Sequence, residues 1–175
     1  ALAFQLARQG AQVTVLEAGQ PAKAASGRSF GWINASFYAN PAHHRLRAEG
    51  IAAHHRQHKL LPAAPYRWQG TLWFEDEGAG FDRMQADLSA LGYPNQPIDT
   101  AQIRLPSEGA VDAAELTALL LAASGARLCA GLAAQDLIDK AGQIVGARTA
   151  IGPIWADHPI LATGTATPGL LAPLG

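Results

Sequence analysis

Residues 1–21 read ALAFQLARQGAQVTVLEAGQP, and the class of the fold turns on them. Leu2 and Leu6 stand one helical turn apart among strong helix formers, so Ala1 to Gln9 reads as a helix. Gly10 follows where a helix ends best on a residue that tolerates the left-handed backbone. Gln12 to Glu17, with Val13, Val15 and Leu16, then reads as a short buried strand. No capping residue stands before the helix and no strand precedes it. The expectation is that a first strand stands ahead of Ala1 in a complete protein.

In a βαβ unit that binds a dinucleotide, a glycine-rich turn joins the first strand to the helix. An acidic residue about 20 residues further on accepts hydrogen bonds from a ribose hydroxyl. Glu17 ends the strand that follows the helix and fits that acid. Counting back about 20 residues puts the glycine turn upstream of Ala1, and the helix that remains would turn its N-terminus to the pyrophosphate. An acid in this place, rather than Arg or Lys, speaks against a ribose carrying a 2′-phosphate. The alternative is that Glu17 only opens a solvent loop, since helix–strand pairs ending in Glu are common.

The 175 residues are 49% apolar, enough for a sizeable core. A net charge of −1 argues against nucleic acid as the main partner. The single cysteine, Cys129, excludes an internal disulfide and permits a reducing compartment, so a cytoplasmic location is expected. The longest apolar run, Leu116 to Ala123, is too short to cross a bilayer. Oligomeric state is not legible.

Residues 18–36 form a small-residue loop with Gly19, Gly27 and Gly31. Residues 41–61 read as a polar helix with Pro41 in its first turn. YRWQGTLWFED reads as two short strands around Gln69 and Gly70, ending in a solvated turn at Glu75 to Glu77. Gly78 to Gly92 reads as a helix closed by Gly92, and a loop rich in Pro and Asn follows. SEGAVDAAELTALLLAASG reads as a helix, with Asp112 as N-cap and Glu115 three residues on. ARLCAGLAAQDLI is a strand region, and three further strands are expected across residues 142–164, the last being HPILATG. Helices alternating with buried strands at both ends favour an α/β sheet. The aromatic and His-rich middle, about residues 37–105, reads as an antiparallel insertion.

Four stretches together resemble the FAD-dependent oxidoreductases of the D-amino-acid oxidase, glycine oxidase and sarcosine oxidase group. ALAFQLARQGAQVTVLEAG is similar to the helix and second strand of that family's FAD-binding domain, and ASGRSFGWINAS to the cofactor-contacting loop after it. SEGAVDAAELTALLL resembles the return from the substrate lobe, and ADHPILATGTATPGLL the strand and turn that pass the flavin. The order of the four is the specific part. The resemblance implies an α/β, Rossmann-like FAD-binding domain in residues 1–36 and 106–175, its first strand and glycine turn missing. It is interrupted by part of an antiparallel α+β substrate lobe at 37–105. It implies oxidation of an amine or D-amino acid by hydride transfer to flavin, with a small-molecule substrate.

The residues expected to bind the cofactor are Glu17, Ala18, Ala25, Ser26, Arg28, Ser29, Gly31, Trp32, Ala134, Thr163 and Gly164. Small residues at Ala25, Ser26 and Gly27 let backbone approach a bulky ligand. Ser26 and Ser29 offer hydroxyls, Arg28 offsets diphosphate charge, Gly31 permits an unusual backbone angle, and Trp32 offers a flat apolar face. Thr163 and Gly164 would end a strand at the side of the sheet where ligands sit. Ala134 stands where the family commonly has a Val whose backbone meets adenine, a contact that Ala preserves. No catalytic residue is assigned, because the family's substrate-binding residues lie mostly in parts not seen here.

His54 and His58 have i, i+4 spacing, yet no nearby carboxylate or Cys completes a metal set, and a solvated helix face is the better reading. Cys129 reads as a small core residue. Two other functions remain: an NAD-linked Rossmann dehydrogenase and a non-catalytic fragment or binding module. These residues alone are expected neither to hold FAD tightly nor to turn over an amine.

Overall fold

The computed structural model describes residues 1–74 and 78–174; the turn expected at Glu75 to Glu77 lies outside them. The chain divides into two compact units. One comprises Ala1–Ala24 and the chain from Leu120 onward, the other Ala25–Leu119. These divisions, at 24/25 and 119/120, fall outside the boundaries at 36/37 and 105/106 that the family resemblance implies. The two divisions differ in kind, since one follows compactness and the other cofactor binding.

The first unit opens with helix α1 (Leu2–Arg8) and strand β1 (Thr14–Glu17). Gly10 takes φ 88° and turns the chain between them. The second unit contains β2 (Trp32–Ile33), α2 (Pro41–Leu60), β3 (Tyr66–Arg67), β4 (Thr71–Phe74), α3 (Ala79–Ala90), β5 (Gln96–Pro97), β6 (Gln102–Leu105) and β7 (Gly109–Val111). Helix α4 (Ala113–Ser124) crosses the boundary. The first unit resumes with β8 (Arg127–Ala130), β9 (Asp136–Lys140), β10 (Gln143–Thr149), β11 (Gly152–Trp155) and the short α5 (Thr167–Leu171).

In the first unit β1 pairs with β8 in parallel register, Thr14 opposite Arg127 and Glu17 opposite Ala130. Among the described residues this sheet has two strands. β1 is therefore only half-buried, against the expectation of a buried strand, because a ladder partner lies on one side alone. Phe4 of α1, 5% exposed, anchors the helix, and Leu132 and Ile138 add to the core. β9, β10 and β11 form an antiparallel meander. Lys140 pairs with Gln143, leaving Ala141 and Gly142 at φ 55° and 83°, the two positive angles that a two-residue type I′ turn needs.

The meander begins at Asp136, earlier than expected, and HPILATG is not a strand. Pro159 has no amide to donate, and residues 158–163 find no ladder partner among the described residues. A 3₁₀ turn at Gly164–Ala166 leads directly into α5.

The second unit holds two antiparallel sheets, β2-β7-β3 and β4-β6-β5. β3 and β4 flank Gln69 and Gly70 as expected but enter different sheets. Gly70, at φ 81°, makes the corner and donates its amide to the Glu108 carbonyl at 3.1 Å. The Pro- and Asn-rich stretch expected as loop carries β5 and β6, and Ile103 and Leu105 of β6 are fully buried.

Helix α2 starts where Asn40 accepts the His43 amide at 2.9 Å, with Pro41 in the first turn. Its polar sequence buries only His44 and Ile51, so side-chain hydrogen bonds replace an apolar stripe. His54 Nδ1 lies 3.0 Å from the Tyr66 hydroxyl, which donates to Gln57 Oε1 at 2.7 Å. Trp68 Nε1 donates to His58 Nδ1 at 2.9 Å, and His55 stacks on Trp68 with centroids 3.7 Å apart. Burial pushes the Tyr66 phenol up to about 12. Burial and then the neighbouring His55 push His54 down, and burial followed by His58 and Lys59 pushes His55 down.

A group whose folded pKa lies below its unfolded value binds its proton more readily when unfolded, so stability rises with pH across that interval. Thermal denaturation of the full chain should therefore show a midpoint that falls as pH drops below about 6.5. Substituting His54 and His55 together by Gln should flatten this dependence.

Candidate functional site

Glu17 ends β1, half-exposed. Its Oε1 accepts the Gly19 amide at 2.9 Å, a bond that orients the carboxylate, and Oε2 has no partner among the described residues. The loops after β1 and β8 are tied together: Leu132 donates to the Glu17 carbonyl at 3.0 Å and Gly131 to the Gly19 carbonyl at 2.8 Å. Glu17, Ala18 and, two residues past Leu132, Ala134 thus gather at the carboxyl ends of the two parallel strands. That is where open α/β sheets hold ligands. Thr163 and Gly164 belong to the same unit but make no hydrogen bond to this group; Thr163 Oγ1 pairs with Thr167 Oγ1 at 2.8 Å inside the turn that starts α5.

In the second unit, Ser26–Arg28 form a single 3₁₀ turn after Ala25, with Arg28 exposed. Ser29 Oγ accepts the Gly31 amide at 3.0 Å. Gly31 takes φ 70°, and an added Cβ would overlap the Val111 carbonyl. The Val111 amide donates to the Gly31 carbonyl at 2.9 Å, so the glycine is required for β2 to meet β7. Trp32 Nε1 is shared between Thr71 Oγ1 and Glu108 Oε2, both at 2.9 Å. Its ring belongs to an aromatic row with Phe30, Trp73 and Phe37, successive centroids 5.7–6.3 Å apart.

Glu108 is the residue that sequence reasoning missed. It is 0% exposed. Oε1 accepts from the Ala35 amide at 3.2 Å, the Ser36 amide at 3.1 Å and the Tyr93 hydroxyl at 3.1 Å, while Oε2 takes Trp32. Burial, then the charge and hydrogen bond of Glu108, pushes the Tyr93 phenol well above its ordinary value. One acidic residue between Ser107 and Gly109 carries no sign of burial in the sequence, because every donor is remote along the chain. Beside it, Ser36 is 8% exposed and its Oγ is buried without a hydrogen-bond partner. The backbone around it is pinned by Arg47, which donates to the Asn34 carbonyl at 3.1 Å and to Asn34 Oδ1.

The histidine pair weighed as a metal site has its Nδ1 atoms engaged with Tyr66 and Trp68. Among the described residues no group of three or more His, Cys, Asp or Glu is arranged to hold a metal. No helix among them is long and apolar enough to cross a membrane.

The family model for the FAD-dependent oxidoreductases, DAO, matches residues 1–175. No curated protein matches the chain. Glycine oxidase from Geobacillus kaustophilus has a similar structure, with TM-score 0.86 and 20% identity over 99% of this chain and 54% of that one. Iminodiacetate oxidase from Chelativorans sp. BNC1 gives 0.85 at 23% identity over 99% and 54%. L-Amino acid deaminase from Proteus myxofaciens gives 0.84 at 20% over 99% and 44%. Identities this low establish a shared fold, and the chain spans about half the length of these structures.

Gly31→Ala should destabilise the full chain by roughly 2–4 kcal/mol, combining left-handed strain with the overlap at Val111. Urea unfolding measures it, and a loss under about 0.5 kcal/mol would mean that β2 and β7 adjust freely.

Proposed function

Because the chain belongs to the FAD-dependent oxidoreductases, we propose that the protein is a flavoenzyme that oxidises an amine or an amino acid at the carbon next to nitrogen. One observation carries this reading: a carboxylate, Glu17, stands at the end of a parallel strand with one oxygen anchored and the other unspent. An acceptor held in this way fits the paired hydroxyls of an adenosine ribose. The orphaned Ser36 hydroxyl is a second point of fit, since a buried hydroxyl without a partner costs about 1–3 kcal/mol and a bound group would relieve it.

In this reading Glu17 accepts from the ribose, and the backbone of Ala18 and Ala134 lines the adenine end. Thr163 and Gly164 of the same unit would supply backbone to the cofactor; in the second unit, Ser26, Arg28 and Ser29 would offer donors to a diphosphate and Trp32 a flat face to a ring. A bound flavin would supply the hydride acceptor, so that the cofactor rather than the protein would carry the redox chemistry. The protein's part is to orient both partners and exclude water from the transfer. A small substrate bearing an amine agrees with the names of the similar structures, which are oxidases of glycine and iminodiacetate and a deaminase of L-amino acids.

Purified full-length protein should show the two visible absorption bands of oxidised flavin, and these should bleach when an amino acid is added without oxygen. A colourless protein that instead retains a nicotinamide dinucleotide would replace this reading with a dehydrogenase. Glu17→Ala should weaken FAD binding by about 1.5–3 kcal/mol, the worth of a hydrogen bond to a charged group. Titration of apo-protein with FAD measures it, and an unchanged dissociation constant would leave Glu17 as a strand-end residue only.

A further inference from the structure

We propose that Glu108 is a positioning residue of the flavin site: its buried carboxylate draws the Trp32 indole and the Ala35 and Ser36 amides to one point and so fixes the Trp32–Ser36 segment. The inference rests on the reading above, in which Trp32 bounds the ring end of the cofactor.

The geometry separates this role from general packing. Three of the four donors on the carboxylate come from one five-residue segment. The fourth, Tyr93, comes from elsewhere in the unit. An ionised carboxylate has acceptor sites on both oxygens and no donor. Glu108 uses both: Oε2 sets the rotation of the Trp32 ring, and Oε1 sets the turn of the backbone three and four residues later. No neutral side chain of similar shape can do this. A glutamine would put its NH₂ group against either the indole N–H or the two amides, so one end of the segment would be repelled whichever way the amide lies.

The other ties on the segment act differently. Thr71 shares only the Trp32 N–H, Arg47 holds Asn34, and His44 Nδ1 lies 2.9 Å from the Ala35 carbonyl. Glu108 alone, among the described residues, grips the segment at both ends. The Ser36 hydroxyl, buried and unpartnered, sits on the residue whose amide Glu108 holds, so the carboxylate also fixes the position of that hydroxyl.

The test is a set of variants in the full-length flavoprotein: Glu108→Gln, Trp32→Phe, the two combined, and Tyr93→Phe as control. Each is assayed for folding by circular dichroism, for FAD dissociation constant, and for the position of the visible flavin bands. Glu108→Gln should raise the dissociation constant about tenfold, one hydrogen bond's worth, and should shift the flavin bands. Trp32→Phe should do likewise, and the combined variant should fall short of the product of the two effects, since both break one link. Tyr93→Phe removes a donor from the same carboxylate but none from the segment, and should leave bands and affinity unchanged even where it lowers thermal stability. If Glu108→Gln does not fold, Glu108→Asp takes its place in the same cycle, keeping both oxygens one methylene short. Multiplicative effects, or equal effects of Tyr93→Phe and Glu108→Gln on the flavin, would reduce Glu108 to a core residue and overturn the inference. Wild-type protein without flavin would overturn the functional reading itself, and is seen before any variant is made.

Discussion

A carboxylate with no exposure to water is the constraint around which the Ala25–Leu119 unit is organised. Removing an ionised group from water is very costly unless every lone pair it presents is met. Glu108 meets that demand with an indole, two amides and a phenol that lie 15 to 76 positions away in the chain. Its own carbonyl takes the Gly70 amide as well. Strand β2, the corner before β4, the chain after α3 and the turn into β7 are therefore all referred to one residue. Replacing it breaks several long-range bonds at once.

Features set by neighbours in the chain were legible in the sequence. Asp112 caps α4 and accepts the Glu115 amide at 2.8 Å; Pro41 opens α2; Gly10 and Gly92 close their helices at φ 88° and 65°. In each case a local rule sufficed. The strands β5 and β6 were not legible, because Pro97 and the polar residues around it read as loop, and only pairing with β4 makes them a sheet. HPILATG failed in the opposite sense: its apolar residues suggest a strand, but a strand needs a partner, and Pro159 removes an amide. Local composition is silent on both points.

The same division holds for the site. Glu17 was legible, since its place at the end of a strand after a helix is a matter of spacing, and its anchoring by Gly19 is a bond over two residues. Gly31 was legible as a residue of special backbone angle, though the angle serves the β2–β7 pairing. Glu108 and the buried Ser36 hydroxyl were not, because burial is decided by residues far away in sequence. Trp32 joins the two kinds of information. Its position in the loop is read from order along the chain, and its orientation comes from Glu108 and Thr71.

The chain belongs to the FAD-dependent oxidoreductases, whose family model spans residues 1–175. Which groups of the chain meet the cofactor decides its function. A crystal structure of the full-length protein purified with its own cofactor measures that directly. The result expected is FAD with its adenosine ribose hydroxyls within about 3 Å of Glu17. Density for a nicotinamide dinucleotide, or for FAD with its ribose away from Glu17, would contradict it.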